Sequence, residues 1–436
     1  HTANPLKRSA GCAVSDAINV RSRGHRGAPP RRQSGVFVFL DHDSLWHSFH
    51  QVAALIRRNG IPSIRITTAT AGRLERLVQS LLYARCYYLP DIQELEHLPE
   101  LLEPFTVAQV FLTEPMMVGL PDDLYDSLPA AVADDVRRRV TYSDKSRAAS
   151  FAAALGIETP QQLAACAVTP TDAAEQLGLP LVVKTKLGAS GAGVVIARTI
   201  GDIESAVARL DLGGDCFFER YVAGQIVSYA GAVFQGQIVQ DMTHQAVKLP
   251  TDPTCAPLAF EVVNDEVLLS VGRALCQALN LSGPINLQSI RDAAGKHWLI
   301  DLNLRPYGPM LSFEQDKVDT AAAFLYATAI SSACPRQRTA VPGTRVEAFP
   351  YDAENLIRGG QPWRAVGLYL LRSSAFWRIL GANYVLYVLL AAAAHRADAM
   401  RARTCKKSGS AIAELTAAVT ATRKILVAPH PPSTSA

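Results

Sequence analysis

The segment that most constrains the fold of this chain is Ile300–Pro306. From Ile300 to Arg305, apolar and polar residues alternate, which is the period-2 pattern of a half-buried strand. One face of that strand is apolar, and the other aligns Asp301, Asn303 and Arg305. Oxygen ligands beside a guanidinium are the groups that a complex of magnesium and polyphosphate requires. The strand is therefore a candidate binding strand for such a complex.

A second strand, Asn286–Ile290, precedes it, and residues 291–296 supply the turn between the two. In the simplest hairpin register, Gln288 lies opposite or next to Asp301. Gln288, Asp301 and Asn303 would then form one cluster of oxygen donors. For the hairpin taken alone, a solvated polar sheet face is the alternative, because polar alternation is common in sheets.

Length and composition indicate a globular protein of two or three domains, since the chain has 436 residues, 49% hydrophobic and 19% charged. The net charge of +4 is misleading, because residues 1–34 contain seven Lys and Arg against one acid. That leader carries +6 and the remainder about −2, which argues against a nucleic-acid-binding body. We expect the leader to be disordered, with a membrane or nucleic-acid contact as the alternative, and it lacks the apolar core of a secretory signal.

The eight cysteines are scattered, without a C-x-x-C pair or a zinc-type spacing. They predict a reducing, cytoplasmic location and no metal centre made of sulfur. Residues 379–394 are uncharged, but this stretch is shorter than a membrane-spanning helix needs. It favours a buried helix or an oligomer interface, with association at a membrane surface as the alternative.

The start of the chain's ordered part alternates between strand and helix patterns. Gly35–Leu40 is typical of a buried strand, Leu45 to about Asn59 of a helix, and Ser63–Thr67 of the next strand. This order predicts a small parallel-sheet domain across about 35–140. The region has no G-x-G-x-x-G motif, which argues against a dinucleotide site there.

A glycine-rich loop follows the strand that ends at Lys184. Gly188–Gly193 contains three glycines and Ser190, and a strand comes after it. Glycines let backbone N–H groups converge on an anion, although this is not a Walker A loop. A buried Lys184 would need an anionic partner. A flexible hairpin tip and a lysine extending to solvent at a sheet edge are the alternatives.

Taken together, these segments resemble the ATP-grasp superfamily. Order and spacing both agree, and the resemblance covers about residues 35–315. The matching segments are Asp144-Lys145, the loop from Lys184 to Val194, Glu219–Gly224 for the E-x-Y-[VI]-x-G linker, Asp301–Arg305 for the E-x-N-x-R strand, and the Asn-x-Gln of residues 286–288.

The resemblance implies a mixed α+β and α/β architecture in which two α+β lobes enclose ATP. A small parallel α/β domain would precede the lobes, and a mainly helical extension would follow them. The expected domains are a disordered leader (1–34), a pre-ATP-grasp domain (35–140), a small lobe (141–212), a large lobe (213–320) and a mostly helical C-terminal region with a tail (321–436).

The resemblance also implies a set of site residues. Lys145 and Lys184 would hold the α- and β-phosphates, and Arg305 would stabilise the transferred phosphoryl group. The other implied binding residues are Gly188, Ser190, Gly191 and Gly193 at the β/γ end of ATP, Glu219, Arg220 and Val222 along the adenine, and Gln288, Asp301 and Asn303 around Mg²⁺. Related ligases often have a basic residue near Lys248 or His244 that faces phosphate or a substrate carboxylate, and for these two an ordinary loop charge is the alternative.

The implied activity is that of a Mg²⁺-dependent ligase that activates a carboxylate as an acylphosphate for attack by an amine or a thiol. Its partners would be small-molecule carboxylates and amines, and a homodimer fits the resemblance. The alternatives are another ATP-grasp chemistry, such as a kinase or a carboxylase subunit, and a non-catalytic nucleotide-binding scaffold.

The sequence departs from the family pattern in three respects. Asp301 replaces the usual Glu, so the metal site has one carboxylate and should hold Mg²⁺ loosely without nucleotide. Ile226 stands where many members place an acid for the ribose hydroxyls. Thr185 replaces a proline, and the loop serine is displaced to Ser190.

Overall fold

The computed structural model describes residues 35–42, 47–68, 76, 79–188, 191, 193–210, 215–249, 257–308, 310–312, 319–337, 339–348 and 364. These residues form three β-sheets. The predictions for the leader, for Ser190 and for the uncharged stretch 379–394 lie outside the described residues.

The first sheet is parallel, with the strand order β3-β2-β1-β4. Its strands are β1 (Val36–Asp41), β2 (Ser63–Thr67), β3 (Arg85–Tyr88) and β4 (Val107–Leu112). Its helices are α1 (His47–Arg58), a 3₁₀ turn (Ile92–His97), α2 (Leu98–Leu102), α3 (Glu114–Met117), α4 (Leu124–Ser127) and α5 (Ala130–Ser143). The chain runs from β1 outward through β3 and then returns to β4 on the other side. The predicted parallel sheet is confirmed, and its strand order reverses between β1 and β4.

The second sheet is small and antiparallel, with the order β5-β8-β6-β7. Its elements are α6 (Lys145–Ala154), β5 (Gln162–Ala164), α7 (Pro170–Leu177), β6 (Leu181–Thr185), β7 (Val194–Ala197), α8 (Ile200–Leu210) and β8 (Cys216–Arg220). Helix α6 begins at Lys145, because the Asp144 carboxylate accepts the backbone N–H groups of Ser146 and Arg147. Lys145 is thereby fixed at the first position of the helix.

The third sheet is antiparallel and has six strands in the order β13-β12-β9-β10-β11-β14. Its strands are β9 (Gln225–Phe234), β10 (Gln237–Lys248), β11 (Ala259–Val263), β12 (Gly283–Arg291), β13 (His297–Asn303) and β14 (Arg345–Glu347), with α9 (Glu266–Leu279) and α10 (Thr320–Ala327) packed on it. Strand β14 comes from the region expected to be mainly helical. The domain bounds themselves stay a prediction.

The register of this sheet places polar side chains in one row. Gln288 pairs with Asp301 on one side, which confirms the predicted hairpin register, and with Ser228 on the other. Ser228 in turn pairs with His244. Because residues paired across antiparallel strands share a sheet face, the row runs across four strands on one side of the sheet.

The first and third sheets share a core. Phe111 on β4 packs against Phe324 on α10, with 6.0 Å between ring centroids. Arg139 of α5 is buried, and its guanidinium donates to the carbonyl oxygens of Leu304 and Ser282. Helix α5 is therefore bonded to the open end of the β12–β13 hairpin, just before β12 begins and just after β13 ends. Within the described ranges, no helix combines the length and the apolarity needed to cross a membrane.

Candidate active site

A cavity of about 250 Å³ lies between the small antiparallel sheet and the large sheet. The structure brings together at its walls nearly all the residues that the sequence singled out: Lys145, Lys184, Gly188, Gly191, Gly193, Glu219, Arg220, Val222, Gln288, Asp301, Asn303 and Arg305. Lys248 is not among its lining residues and is exposed at the end of β10. Ser190 falls outside the described residues.

Lys184 links the two sheets. Its side chain is 7% exposed, and its Nζ lies 2.5 Å from Oε1 of Glu219 on β8. The same ammonium donates to the backbone oxygen of Ile300 on β13 at 3.3 Å. Oε2 of Glu219 accepts from Nε2 of Gln162 at 2.9 Å. The buried lysine thus has an anionic partner, as expected, and that partner is the carboxylate that opens the linker motif.

Lys145 contacts a side chain of strand β13 directly. Its Nζ lies 3.3 Å from Oδ1 of Asp301 and donates to the carbonyl oxygen of Gly188 at 2.8 Å. Nδ2 of Asn303 donates to Oδ2 of Asp301 at 3.2 Å. Lys145 on α6 and Lys184 on β6 therefore both contact β13 of the large sheet, the first through the carboxylate of Asp301 and the second through the backbone oxygen of Ile300.

The environment of Asp301 keeps it charged. Burial alone would raise the pKa of this carboxyl, but the positive charges of Lys145, Lys184 and Arg305 outweigh burial and hold the pKa below its ordinary value. Asp301 is consequently ionised at neutral pH, as a metal ligand must be.

The donor set suits a hard cation. Within the described residues, no group of three or more His, Cys, Asp and Glu side chains is arranged to hold a metal. A cation beside Asp301 would therefore use the amide oxygens of Gln288 and Asn303 together with this single carboxylate. Oxygen-only donors and few charges fit Mg²⁺, which retains several waters and takes further ligands from phosphates. The residues present thus fit a magnesium ion that arrives with its nucleotide.

Arg305 is held by a residue that the sequence analysis missed. Its guanidinium is buried, with Nε 2.9 Å and 3.0 Å from the two carboxylate oxygens of Glu114, and Nη2 lies 2.8 Å from Oε1. Glu114 begins α3 directly after β4, where the order of the parallel sheet reverses. An acid placed just past the carboxyl end of a buried parallel strand was the available signal.

Apolar side chains from both sheets line one region of the cavity, at Val182, Ile196, Ile226, Ile290 and Ile300. Ile226 and Ile290 are paired neighbours on the large sheet. Val222 lies beside this region, and Arg220 donates to Oε1 of Gln161 at 2.8 Å. Such walls suit a flat heterocycle, and Ile226 offers no carboxylate to a ribose.

The side of the cavity near β10 and β11 has a different character. His244 is fully buried and its ring meets the ring of Phe260 edge-on at 4.8 Å. Burial lowers the pKa of His244 to about 3, so its imidazole is neutral at physiological pH. Tyr307 and Pro257 complete this side.

No family model matches the chain. Among curated proteins, it is similar to the D-alanine–D-alanine ligase of Stutzerimonas stutzeri, with 24% identity over 178 residues, 37% of this chain and 55% of that protein. The D-alanine–D-alanine ligase of Neisseria gonorrhoeae is 26% identical over 176 residues, 37% of this chain and 57% of that protein. The chain thus spans about half the length of the curated relatives it matches.

Among the solved structures that are similar in fold are the following three. An N5-carboxyaminoimidazole ribonucleotide synthetase in complex with ADP has a TM-score of 0.56 at 13% identity, over 77% of this chain and 87% of that one. The dimeric biotin carboxylase domain of the Hydrogenobacter thermophilus 2-oxoglutarate carboxylase, solved with MgADP, ADP and bicarbonate, has a TM-score of 0.53 at 13% identity, covering 72% and 73%. An L-amino acid ligase from Bacillus licheniformis has a TM-score of 0.50 at 17% identity, covering 69% and 75%.

The three sheets, the cavity and the similar solved structures together define the fold. The chain has the ATP-grasp fold, in which a parallel α/β unit precedes two lobes around a cleft. The fold expected from the sequence is confirmed.

Proposed function

We propose that this protein is an ATP-dependent ligase that activates a carboxylate as an acylphosphate for attack by an amine or a thiol. The observation that carries the proposal is that Lys145 and Lys184 line one cavity with Asp301 and Asn303. Lys145 pairs with Asp301, and Lys184 donates to the backbone of Ile300 on the same strand. Ammonium groups facing metal-binding oxygens are the arrangement that a metal-bound polyphosphate occupies.

ATP and Mg²⁺ are the implied cofactors, and the chain offers residues for each. Lys145 and Lys184 would hold the phosphates, and backbone N–H groups of Gly188–Gly193 would cover them. Gln288, Asp301 and Asn303 would hold Mg²⁺, which supplies charge neutralisation to the transferred phosphoryl group. The protein's own part is positioning and electrostatic stabilisation, which accounts for lysines, an arginine and amides in place of a nucleophilic triad.

The reaction would proceed in two steps. A carboxylate oxygen attacks the γ-phosphorus, the bond to ADP breaks, and Arg305 stabilises the charge that develops on the phosphoryl oxygens. The amine then attacks the acyl carbon, releases inorganic phosphate and loses a proton. The names of the relatives, D-alanine–D-alanine ligase and L-amino acid ligase, support an acid and an amine as the substrates.

Two alternative functions are each supported by an observation. Two of the structural neighbours are a carboxyaminoimidazole ribonucleotide synthetase and a biotin carboxylase domain, which suits a carboxylase. The single carboxylate of the metal site and the apolar Ile226 suit a nucleotide-binding protein without turnover. ADP release that requires bicarbonate would support the first, and tight ATP binding without acid-dependent ADP release would support the second.

The decisive experiment is a matrix of acids and amines scored for ADP release, with mass spectrometry of the products. Lys184→Ala and Asp301→Ala should each lower substrate-dependent ADP release by about 100-fold or more. Lys296→Ala and Asp134→Ala are matched controls, because both side chains are partly exposed and outside the cavity. Full turnover in either active-site variant would refute the assignment.

The proposal extends to location and assembly. A cytoplasmic location is supported by the described cysteines, since Cys86, Cys166, Cys276 and Cys334 are thiols outside any disulfide. A homodimer is supported by the dimeric biotin carboxylase neighbour. Small-molecule carboxylates and amines are the proposed partners.

A further inference from the structure

The side of the cavity near β10 and β11 is walled by aromatic and apolar groups. Phe260 is 5% exposed and Tyr307 is 6% exposed, and both belong to one buried cluster with Ala230 and Met242. Pro257 lines the cavity next to them. A surface of this kind gains free energy only from a ligand that brings apolar area of its own.

Tyr307 adds a single polar handle. Among the described residues, no group forms a hydrogen bond with its hydroxyl, although the side chain is more than nine-tenths buried and lines the cavity. Burial raises the pKa of Tyr307, so the hydroxyl keeps its proton and can donate. Buried tyrosine hydroxyls normally have a partner, which here would come from a bound molecule.

Charge is scarce on this side. His244 is neutral because burial lowers its pKa to about 3. Arg305 is the nearest cation in sequence to Tyr307, and the carboxylate of Glu114 already balances its charge in part. The other cations that line the cavity belong to the phosphate and linker regions, where Lys145 and Lys184 pair with acids. The described residues therefore provide for one carboxylate here and not for a second anionic group.

We propose that this side of the cavity binds a carboxylic acid whose body is apolar and uncharged. The carboxylate faces Arg305, and the body lies against the rings of Phe260 and Tyr307. A phosphorylated acid or a dicarboxylic acid has no partner for its second charge among the described residues. This inference names the acid substrate of the proposed ligase and rests on that function.

Equilibrium binding separates this inference from the ligase assignment, because binding requires no turnover. Calorimetry in the presence of ADP and Mg²⁺ would compare hexanoate and 3-phenylpropanoate with glutamate and 3-phosphoglycerate. The Kd of the two apolar acids should be at least about tenfold lower. Equal or tighter binding of glutamate or 3-phosphoglycerate would overturn the inference and leave the ligase proposal standing. Absence of ADP release with every acid and amine would instead refute the ligase.

Variants of Phe260 and Tyr307 then test whether these side chains contact the acid. Phe260→Ala should raise the Kd of 3-phenylpropanoate about tenfold and leave the Kd of ATP within about twofold. Phe260→Leu is the second variant, which keeps the wall apolar and should shift preference from 3-phenylpropanoate toward hexanoate. Tyr307→Phe keeps the ring and removes the donor, and Tyr326→Phe, on α10 outside the cavity, is its control. Unchanged acid binding in both the Phe260→Leu and the Tyr307→Phe variants would contradict the assignment.

Discussion

Glu114 and Arg305 are 191 positions apart in the chain, yet they form a buried ion pair with three nitrogen–oxygen distances of 3.0 Å or less. Glu114 stands at the carboxyl edge of the parallel sheet, and Arg305 directly follows the candidate metal strand. The pair fixes a cavity-lining guanidinium to the preceding α/β unit. The first sheet is thereby part of the site's architecture.

Loss of Glu114 should destabilise the protein. In Glu114→Ala, the buried guanidinium of Arg305 loses the carboxylate that accepts its hydrogen bonds, so the free energy of unfolding should fall by about 3 kcal/mol. Glu94→Ala is the control, since Glu94 is 46% exposed and should change stability by less than about 0.5 kcal/mol. Urea denaturation at pH 7 measures both, and equal effects would contradict a structural role for the pair.

Because the candidate metal site has a single carboxylate, we expect Mg²⁺ binding to depend strongly on Asp301. Asp301→Asn keeps the size of the side chain but leaves only neutral donors, so half-maximal ADP release should need at least about tenfold more Mg²⁺. Asp301→Glu retains the charge and should need much less additional Mg²⁺ than Asp301→Asn. Titrating Mg²⁺ at saturating ATP measures this order. An Asn variant with the metal dependence of the unmodified protein would place the cation elsewhere.

The buried imidazole of His244 makes stability depend on pH. Its pKa is about 3 in the folded protein and 6.5 ordinarily, so only the unfolded chain takes up this proton between those values. The neutral imidazole's contribution to the free energy of unfolding is complete above pH 6.5. It is lost as the pH falls, by about 2 kcal/mol between pH 6.5 and pH 5.

His244→Gln removes this titration. Urea unfolding at pH 7 and pH 5 should therefore show a loss of stability on acidification that is about 2 kcal/mol smaller in the variant than in the unmodified protein. The same loss in both proteins would show that His244 takes up its proton in the folded state.

Arg139 should stabilise the protein through its bonds to the open end of the β12–β13 hairpin. Its guanidinium donates to the carbonyl oxygens of Leu304 and Ser282 and pairs with Asp135. Arg139→Lys cannot reproduce this forked set of bonds and should lower stability by about 2 kcal/mol. Arg137→Lys, on the same helix and half exposed, should change little. Thermal denaturation of both variants tests this, and equal stabilities would count against the fastening role.

The sequence predicted those parts of the site that depend on local pattern. Alternation along β13 and the turn after β12 set the pairing of Gln288 with Asp301. Both signals lie within a few residues of the groups that they position, which is why sequence was sufficient.

Other parts depend on pairing between distant segments, which local sequence patterns do not specify. Glu114 gains its role from Arg305, which follows a strand of another sheet, and His244 on β10 packs edge-on against Phe260 of the neighbouring strand β11. Lys248 was selected as a basic residue near the substrate. The register between β10 and β11 shifts between Ala246 and Lys248, and this irregularity at the strand's end leaves the lysine exposed. Its catalytic role stays a prediction.

The most direct test of carboxylate activation follows an oxygen atom. The acid of the most active acid–amine pair is labelled with ¹⁸O in its carboxylate, and the inorganic phosphate formed during turnover is analysed by mass spectrometry. An acylphosphate route transfers one labelled oxygen to phosphate in each turnover, because the carboxylate oxygen bonded to phosphorus leaves with it. Turnover that yields phosphate without ¹⁸O would contradict the account.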